Sequence, residues 1–440
     1  MPVIVVVGGQ WGDEGKGRMV DFLARNVSVV ARYSAGNNAG HTVVTDRGIV
    51  RLHLVPAGIF YPDKVCLIGN GVVIDPEVLL GEIESLESTG VSTKNLFVSD
   101  RAHVIMPYHL LIDRLDEELR GPAAIGTTMR GVGPAFADKV GRVGIRLADL
   151  IRPEVFRERL SLILPYKNAF LTKLYGSEAL DFNDVFQAYS DYGRRLAPFV
   201  RDTMAMVHEA LERGETVLLE GAQGSLLDLD AGTYEYVTSS VPSSTAAGAG
   251  LGIGIGPTAI TKVVGVYKAY NTRVGNGPMP TELIDEKGEV LPEGIQIRDR
   301  GKERGFGEYG ATTGRPRRCG WFDAVAARYT SRLNDLSAAL ITRLDVLDTF
   351  KALKICIGYQ IDGTPVRRFP ASTWDLARCE PIYEEVPGWE QDTTGVRLFE
   401  DLPVEAQAYV RRLEGHLGCP IAIVSVGPER DQAIIVKPVF

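Results

Sequence analysis

Apolar residues along this chain fall into two alternating patterns. Residues 3–7 form an unbroken run of branched aliphatics, the mark of a strand covered on both faces, and residues 16–25 behind them have helical spacing. The alternation returns. Val65–Ile68 reads as a strand, and residues 108–119 as a helix with Leu111, Ile112, Leu115 and Leu119 on one face. Residues 200–213 read as a helix leading into a strand over 216–220. Farther on, 340–343 and 421–426 read as buried strands, the second preceded by a helix over Val404–Leu417. This predicts the α/β class: one large domain over residues 1–440 around a mainly parallel, doubly wound central sheet, with ligands outside the carboxyl ends of its strands. Three stretches rich in glycine, hydroxyl and charge interrupt the pattern, at 121–144, 239–257 and 285–314, and are expected to be functional loops rather than linkers.

Composition narrows the class of function. With 45% hydrophobic and 24% charged residues the chain is neither disordered nor collagen-like. Its 48 basic and 56 acidic side chains leave a net charge of -8, which argues against broad binding to nucleic acid or an anionic membrane. An anionic ligand must therefore be held by local features. Five scattered cysteines without a C-x-x-C pair, and no signal-like or spanning apolar run, predict a soluble cytoplasmic protein with reduced thiols and no structural zinc. Glycine, at 48 residues, is clustered in a few loops where backbone must approach a ligand.

The first cluster, GGQWGDEGKG at 8–17, lies between the first strand and the first helix. Its amides, the helix N-terminus and Lys16 make a phosphate cradle resembling a P-loop. It is not a Walker A sequence, because Gln10 takes the first glycine position and Gly17 stands where a magnesium-binding hydroxyl would be. Asp13 sits where phosphates should lie, so it can bind magnesium or take a proton. RYSAGNNAGHT at 32–42 brings a second glycine turn beside it, and His41 there can donate to charge developing on phosphate; His53, His103, His109, His208 and His416 are read as structural. Asp345, in LITRLD, can accept two hydrogen bonds from the N1 and N2 edge of guanine, which favours GTP over ATP. ATTGRPRR at 311–318 reads as an anion clamp of arginine forks.

In this order GQWGDEGKG, NNAGHT, IGTT with GPAF and DKV, EGAQG with LLD, GTYEYVTSS, ATTGR and RLDVLD resemble the adenylosuccinate synthetase family over nearly the whole chain. The resemblance implies a ligase of purine biosynthesis that joins L-aspartate to IMP with GTP and Mg2+, through a 6-phosphoryl-IMP intermediate, giving adenylosuccinate, GDP and phosphate. It implies catalytic roles for Asp13 as base, His41, Gln223 and Lys16. GTP would be held by Gly12, Gly15, Lys16, Gly17, Gly40, His41, Thr42, Arg317, Arg343, Asp345, Ser425 and Gly427. IMP would be held by Asp13, Asn38, Thr128, Gln223, Thr238 and Arg315, with Arg142 reaching across a homodimer. Thr312, Thr313 and Arg315 would hold aspartate, and the Asp13 carboxylate and Gly40 carbonyl the magnesium. Arg343 stands where the family commonly has lysine, Met129 replaces a glycine, and 239–257 and 291–307 look altered or longer. Two other readings are a related GTP-dependent ligase for another 6-oxopurine nucleotide or amine, and a GTP-binding switch protein, which would want a hydroxyl where Gly17 stands.

Overall fold

A computed structural model describes residues 3–45, 48–242, 252–310 and 314–440. Its frame is a ten-stranded sheet. In chain order the strands are β1 Val3–Gly8, β2 Val29–Arg32, β3 Val65–Ile68, β4 Leu96–Ser99, β5 Val200–Arg201, β6 Val217–Glu220, β7 Ile260–Lys268, β8 Ala338–Thr342, β9 Ile421–Ser425 and β10 Ala433–Ile435. Across the sheet they run β10-β9-β8-β7-β1-β6-β2-β3-β4-β5. Neighbours are parallel, apart from the β9–β10 pair at one edge.

Every residue of β1 is buried, as an unbroken apolar run requires of a central parallel strand. Successive side chains go to opposite faces. Ile4 and Val6 join a core with Met19, Val20 and Leu23 of the first helix, Lys16–Ala24, whereas Val3, Val5 and Val7 pack with Val207 and Ala210 of helix Thr203–Glu212. Each such side chain stabilises the fold by about 1.5–3 kcal/mol relative to exposure. The chain leaves β1 toward one edge, returns to insert β6 beside it, and then builds β7 to β9 on the other side. The carboxyl ends of β1, β2, β6, β7 and β8 thus open on a common crevice at the switch point.

Several expectations are corrected. Residues 200–213 are not one helix: Val200–Arg201 is the edge strand β5, and Asp202 caps helix Thr203–Glu212 by accepting from Met204 N and Ala205 N, both at 3.1 Å. Helix Pro107–Arg120 forms, but Leu119 is 66% exposed, and its fully buried face is Tyr108, His109, Asp113 and Glu117. Those carboxylates are buried because the following segment folds back on them. Glu117 accepts from the amides of Ile125, Gly126 and Thr127 at 3.1, 2.8 and 3.1 Å, and Asp113 from Gly131 N at 2.8 Å and Thr127 Oγ1 at 3.0 Å. The interrupting stretches are also partly helical, with Val132–Gly141 inside the first and Pro292–Asp299 inside the third. The middle of the second, residues 243–251, lies outside the described residues. A small sheet of Phe322–Asp323, Ala352–Ile361, Thr364–Val366 and Glu380–Pro387, and the helices Pro153–Ala169 and Phe182–Leu196, add to the predicted frame.

Candidate active site

Backbone conformation makes the cradle. Gly12, Asp13 and Gly15 have φ of 85°, 58° and 85°, and Gly15 begins the helix without any side-chain cap, so first-turn amides face the crevice. A Cβ on Gly17 would lie 2.5 Å from the His41 Cβ, which explains why no hydroxyl residue follows Lys16. Glu14 braces the loop from within. Fully buried, it accepts from Gln10 N and Gly12 N, each at 3.0 Å, and from Lys16 Nζ at 2.5 Å.

Asp13 points the other way, its side chain about a third exposed at 34%, and it pairs with the buried guanidinium of Arg317. His41 begins the hairpin His41–Thr45/Gly48–Leu52 and is buried. Its Nδ1 bonds to Glu220 at the tip of β6, whose other oxygen accepts from Ala57 N at 2.8 Å. Burial pushes the imidazole below its usual proton affinity, and Glu220 only partly offsets this. Gln223, left-handed at φ 53°, donates to Asn38 Oδ1 at 3.1 Å, while its Oε1 is buried without a hydrogen-bond partner.

The glycines 12, 15 and 17, with Asp13, Lys16, Asn38, Gly40, His41, Thr42, Thr128, Gln223, Thr238, Arg317, Arg343 and Gly427, line one cavity of about 740 Å3. Segments more than 400 residues apart in the chain meet there because five strand ends do. Asp345 is not in that lining; two residues beyond Arg343, its Oδ1 is buried and unpartnered and its carboxyl is raised by burial. Next to it Arg18 donates to Ser425 Oγ and, at 2.6 Å, to the Glu429 carbonyl, and Ser425 Oγ donates to Gly427 O at 3.1 Å. Met129, in the turn with Thr128, takes φ 55°, a backbone state that favours glycine.

Two arginines lie apart from the cavity wall. Arg142 is exposed at the end of helix Val132–Gly141, and Arg315 is exposed beyond Gly314. Thr312 and Thr313 fall outside the described residues. Sequence reading missed Glu14, Glu220, Arg18, Lys268 and Glu308. Glu308 is a buried hub: Lys268 Nζ donates to it at 2.6 Å and Tyr270 Oη at 2.5 Å, and Arg343 Nη2 lies 3.3 Å away. Burial would raise its carboxyl, but the two cations prevail and hold it near 2. The available signal was polarity itself, since Glu220 ends an otherwise apolar strand and Lys268 follows the buried run Val263–Tyr267.

A glycine cradle at the first strand–helix junction, with a lysine, a carboxylate and a buried imidazole around it, defines a nucleotide-dependent phosphoryl-transferring enzyme of the α/β class. A sequence model of the family described as adenylosuccinate synthetase matches residues 5–434, and the chain belongs to that family: it is a ligase that joins L-aspartate to IMP at the expense of GTP. The chain is 53% identical over 440 residues to the adenylosuccinate synthetases of Carboxydothermus hydrogenoformans and Heliobacterium modesticaldum, covering all of both chains in each case. The fully ligated adenylosuccinate synthetase of Plasmodium falciparum superposes with a TM-score of 0.91 at 35% identity, covering 99% of this chain and all of that one. A cyanophage succinoaminodeoxyadenylate synthetase, at 20% identity and a TM-score of 0.58, shares the fold alone. Family membership favours the IMP ligase over the switch-protein and related-ligase readings.

Proposed function

We propose that the reaction runs through a 6-phosphoryl-IMP intermediate, with the chain of residues 1–440 acting as one catalytic domain. The reading is carried by the convergence of Asp13, His41 and Gln223, from beyond the ends of β1, β2 and β6, around the uncapped start of the first helix. Asp13 takes the N1 proton of IMP, which turns the 6-oxygen into a nucleophile toward the γ-phosphorus of GTP. As that bond forms, the bond to the β,γ-bridging oxygen breaks and GDP departs. Lys16, the loop amides and a hydrogen bond from His41 take up the charge on the departing phosphates, and the Gln223 amide the charge on the purine oxygen. The aspartate amine then attacks C6 and phosphate leaves. Arg317, paired with Asp13 when no substrate intervenes, is released by the incoming base to hold phosphate.

Asp345 reads the guanine edge, while Arg343, Ser425 and Gly427 shape the base end. Asn38, Thr128 and Thr238 hold IMP, and Thr312, Thr313 and Arg315 the aspartate. A divalent cation fits Asp13 and the Gly40 carbonyl. No cluster of three or more His, Cys, Asp or Glu exists among the described residues, and one carboxylate plus one carbonyl is a donor set that suits magnesium, which takes its remaining ligands from water and phosphates. When bound it neutralises phosphate charge. Arg142 completes the IMP site of a second subunit. In support of a dimer, Leu119, Val140, Leu162, Tyr166, Phe170 and Leu174 are exposed on neighbouring helices around it. A cytoplasmic location suits five buried free thiols, and among the described residues no helix is long and apolar enough to cross a membrane.

The test mixes the protein with GTP, Mg2+, IMP and aspartate, omits each in turn, and follows the longer-wavelength absorbance of a 6-amino-substituted purine. Product should require all of them. Asp13→Asn should lower turnover about 10²- to 10⁴-fold while nucleotide still binds; near-normal turnover in this variant would remove Asp13 as the base.

A further inference from the structure

We infer that Arg343 is a positioning residue that couples the base end of the nucleotide cleft to the loop on the amino-acid side, so that recognition of the base sets the affinity for aspartate. The inference rests on the reading of Asp345 as the residue that accepts from the base.

Arg343 leaves the end of β8 in a left-handed turn, φ 64°, two residues before Asp345. Its guanidinium is committed to three partners. Nε donates to Tyr270 Oη at 3.2 Å, Nη2 to the carbonyl of Phe306 at 2.6 Å, and Nη2 lies 3.3 Å from Glu308 Oε1. A planar fork reaches these partners from two nitrogens set apart in a fixed plane, whereas an ammonium would have to meet all three from one point. Glu308 is fixed from the other side by Lys268 and Tyr270, at 2.6 and 2.5 Å. Its backbone carries the connection onward, since Glu308 N donates to Arg298 O at 2.7 Å and Arg317 N donates to Glu308 O at 2.8 Å. Arg317 in turn pairs with Asp13. A continuous set of contacts therefore runs from the base end, through Arg343 and Glu308, to the catalytic carboxylate and to the strand segment that leads out of the aspartate loop.

The contacts lie within protein, with Lys268, Glu308 and Arg317 at 3%, 6% and 8% exposed, so they are poorly screened by solvent. The base end is the variable part. Asp345 Oδ1 is buried with no hydrogen-bond partner, and the field of Arg343 acts on that carboxylate. A base that donates to Asp345 fixes the turn 343–345, and with it the Arg343 fork and the Phe306–Glu308 segment. A base lacking the 2-amino donor leaves the turn less constrained. Because linkage is reciprocal, aspartate must tighten the nucleotide by the same factor.

The test uses the whole enzyme with GTP or inosine triphosphate, which lacks the 2-amino group, and measures KM for aspartate and for IMP. In the wild type, KM for aspartate should be about five- to tenfold higher with inosine triphosphate, while KM for IMP stays level. In Arg343→Lys the difference between the two nucleotides should vanish, with KM for aspartate raised for both. Glu308→Gln, which keeps the shape and removes the charge, should act the same way, and adding it to Arg343→Lys should change little further. Amide exchange over 306–310 should slow on adding GDP in the wild type and not in Arg343→Lys. An aspartate KM indifferent to the nucleotide in the wild type, or a nucleotide difference that persists in both variants, overturns the coupling. Absence of IMP-dependent product with either nucleotide would instead sink the reading of the reaction itself.

Discussion

A single buried carboxylate decides what His41 can do. Nδ1 of the ring faces Glu220, so only Nε2 is left for a phosphate, and Glu220 is itself held by the Ala57 amide. Glu220→Gln offers one acceptor oxygen where the native residue uses two. Either the ring or the Ala57 amide then loses its partner. Only the doubly protonated ring can donate at Nδ1 to residue 220 and at Nε2 toward the cleft, and the variant removes the carboxylate that favours that form. Turnover should fall about 10²-fold or more, as where one donor to developing charge is removed. KM for GTP should change far less, because the glycine loop and Lys16 are untouched. Wild-type turnover in this variant would show that Glu220 is only packing. At this scale the sequence singled out Asp13, Lys16 and His41, which the fold brings to one cavity, because they stand among glycines whose spacing has no structural excuse. It hid Glu14, which turns inward to the amides of its own loop, and Glu220, whose partners, the His41 ring and the Ala57 amide, come from elsewhere in the chain.

Among the elements, helix Pro107–Arg120 shows how periodicity identifies an element and misassigns its face. Leucine spacing marks the helix. The buried face instead holds Tyr108, His109, Asp113 and Glu117, and the two carboxylates can be buried because amides of 125–131 satisfy them. Only the wrapped-back segment makes that possible, and no local pattern announces it. Thr128, a cavity residue, sits in this segment, so the helix positions this part of the cavity wall, which is proposed to hold IMP. Glu117→Gln has one acceptor oxygen for three amides. Leaving a buried donor unpaired costs about 1–3 kcal/mol. The segment should loosen, with KM for IMP raised and the urea midpoint lowered; an unchanged IMP KM alongside an unchanged midpoint would mean that the turn holds itself.

For the molecule as a whole, the parallel frame was legible because buried strands announce themselves as continuous apolar runs, and predicted and observed strand limits differ by only a residue or two. The strand order was not legible. It depends on long-range pairing, and the helices Pro153–Ala169 and Phe182–Leu196 between β4 and β5 were not legible because they carry little glycine or catalytic signal. Those helices also bear the apolar surface near Arg142. On the proposed dimer, Val140→Glu, at a site 81% exposed in the single chain, should leave the chain folded but shift sedimentation from dimer toward monomer, with activity falling on dilution. A variant that sediments and turns over like the wild type would place any dimer contact elsewhere.

The central position of β1 has a consequence for biosynthesis. Its two neighbours begin at Val217 and Ile260, so the ribosome must make most of the first 260 positions before the phosphate loop has walls on both sides. At usual elongation rates that interval is on the order of ten seconds or more. During it an aliphatic, β-prone segment waits unpaired, a natural client for chaperones, and a nascent chain released early should be unable to retain guanine nucleotide at all.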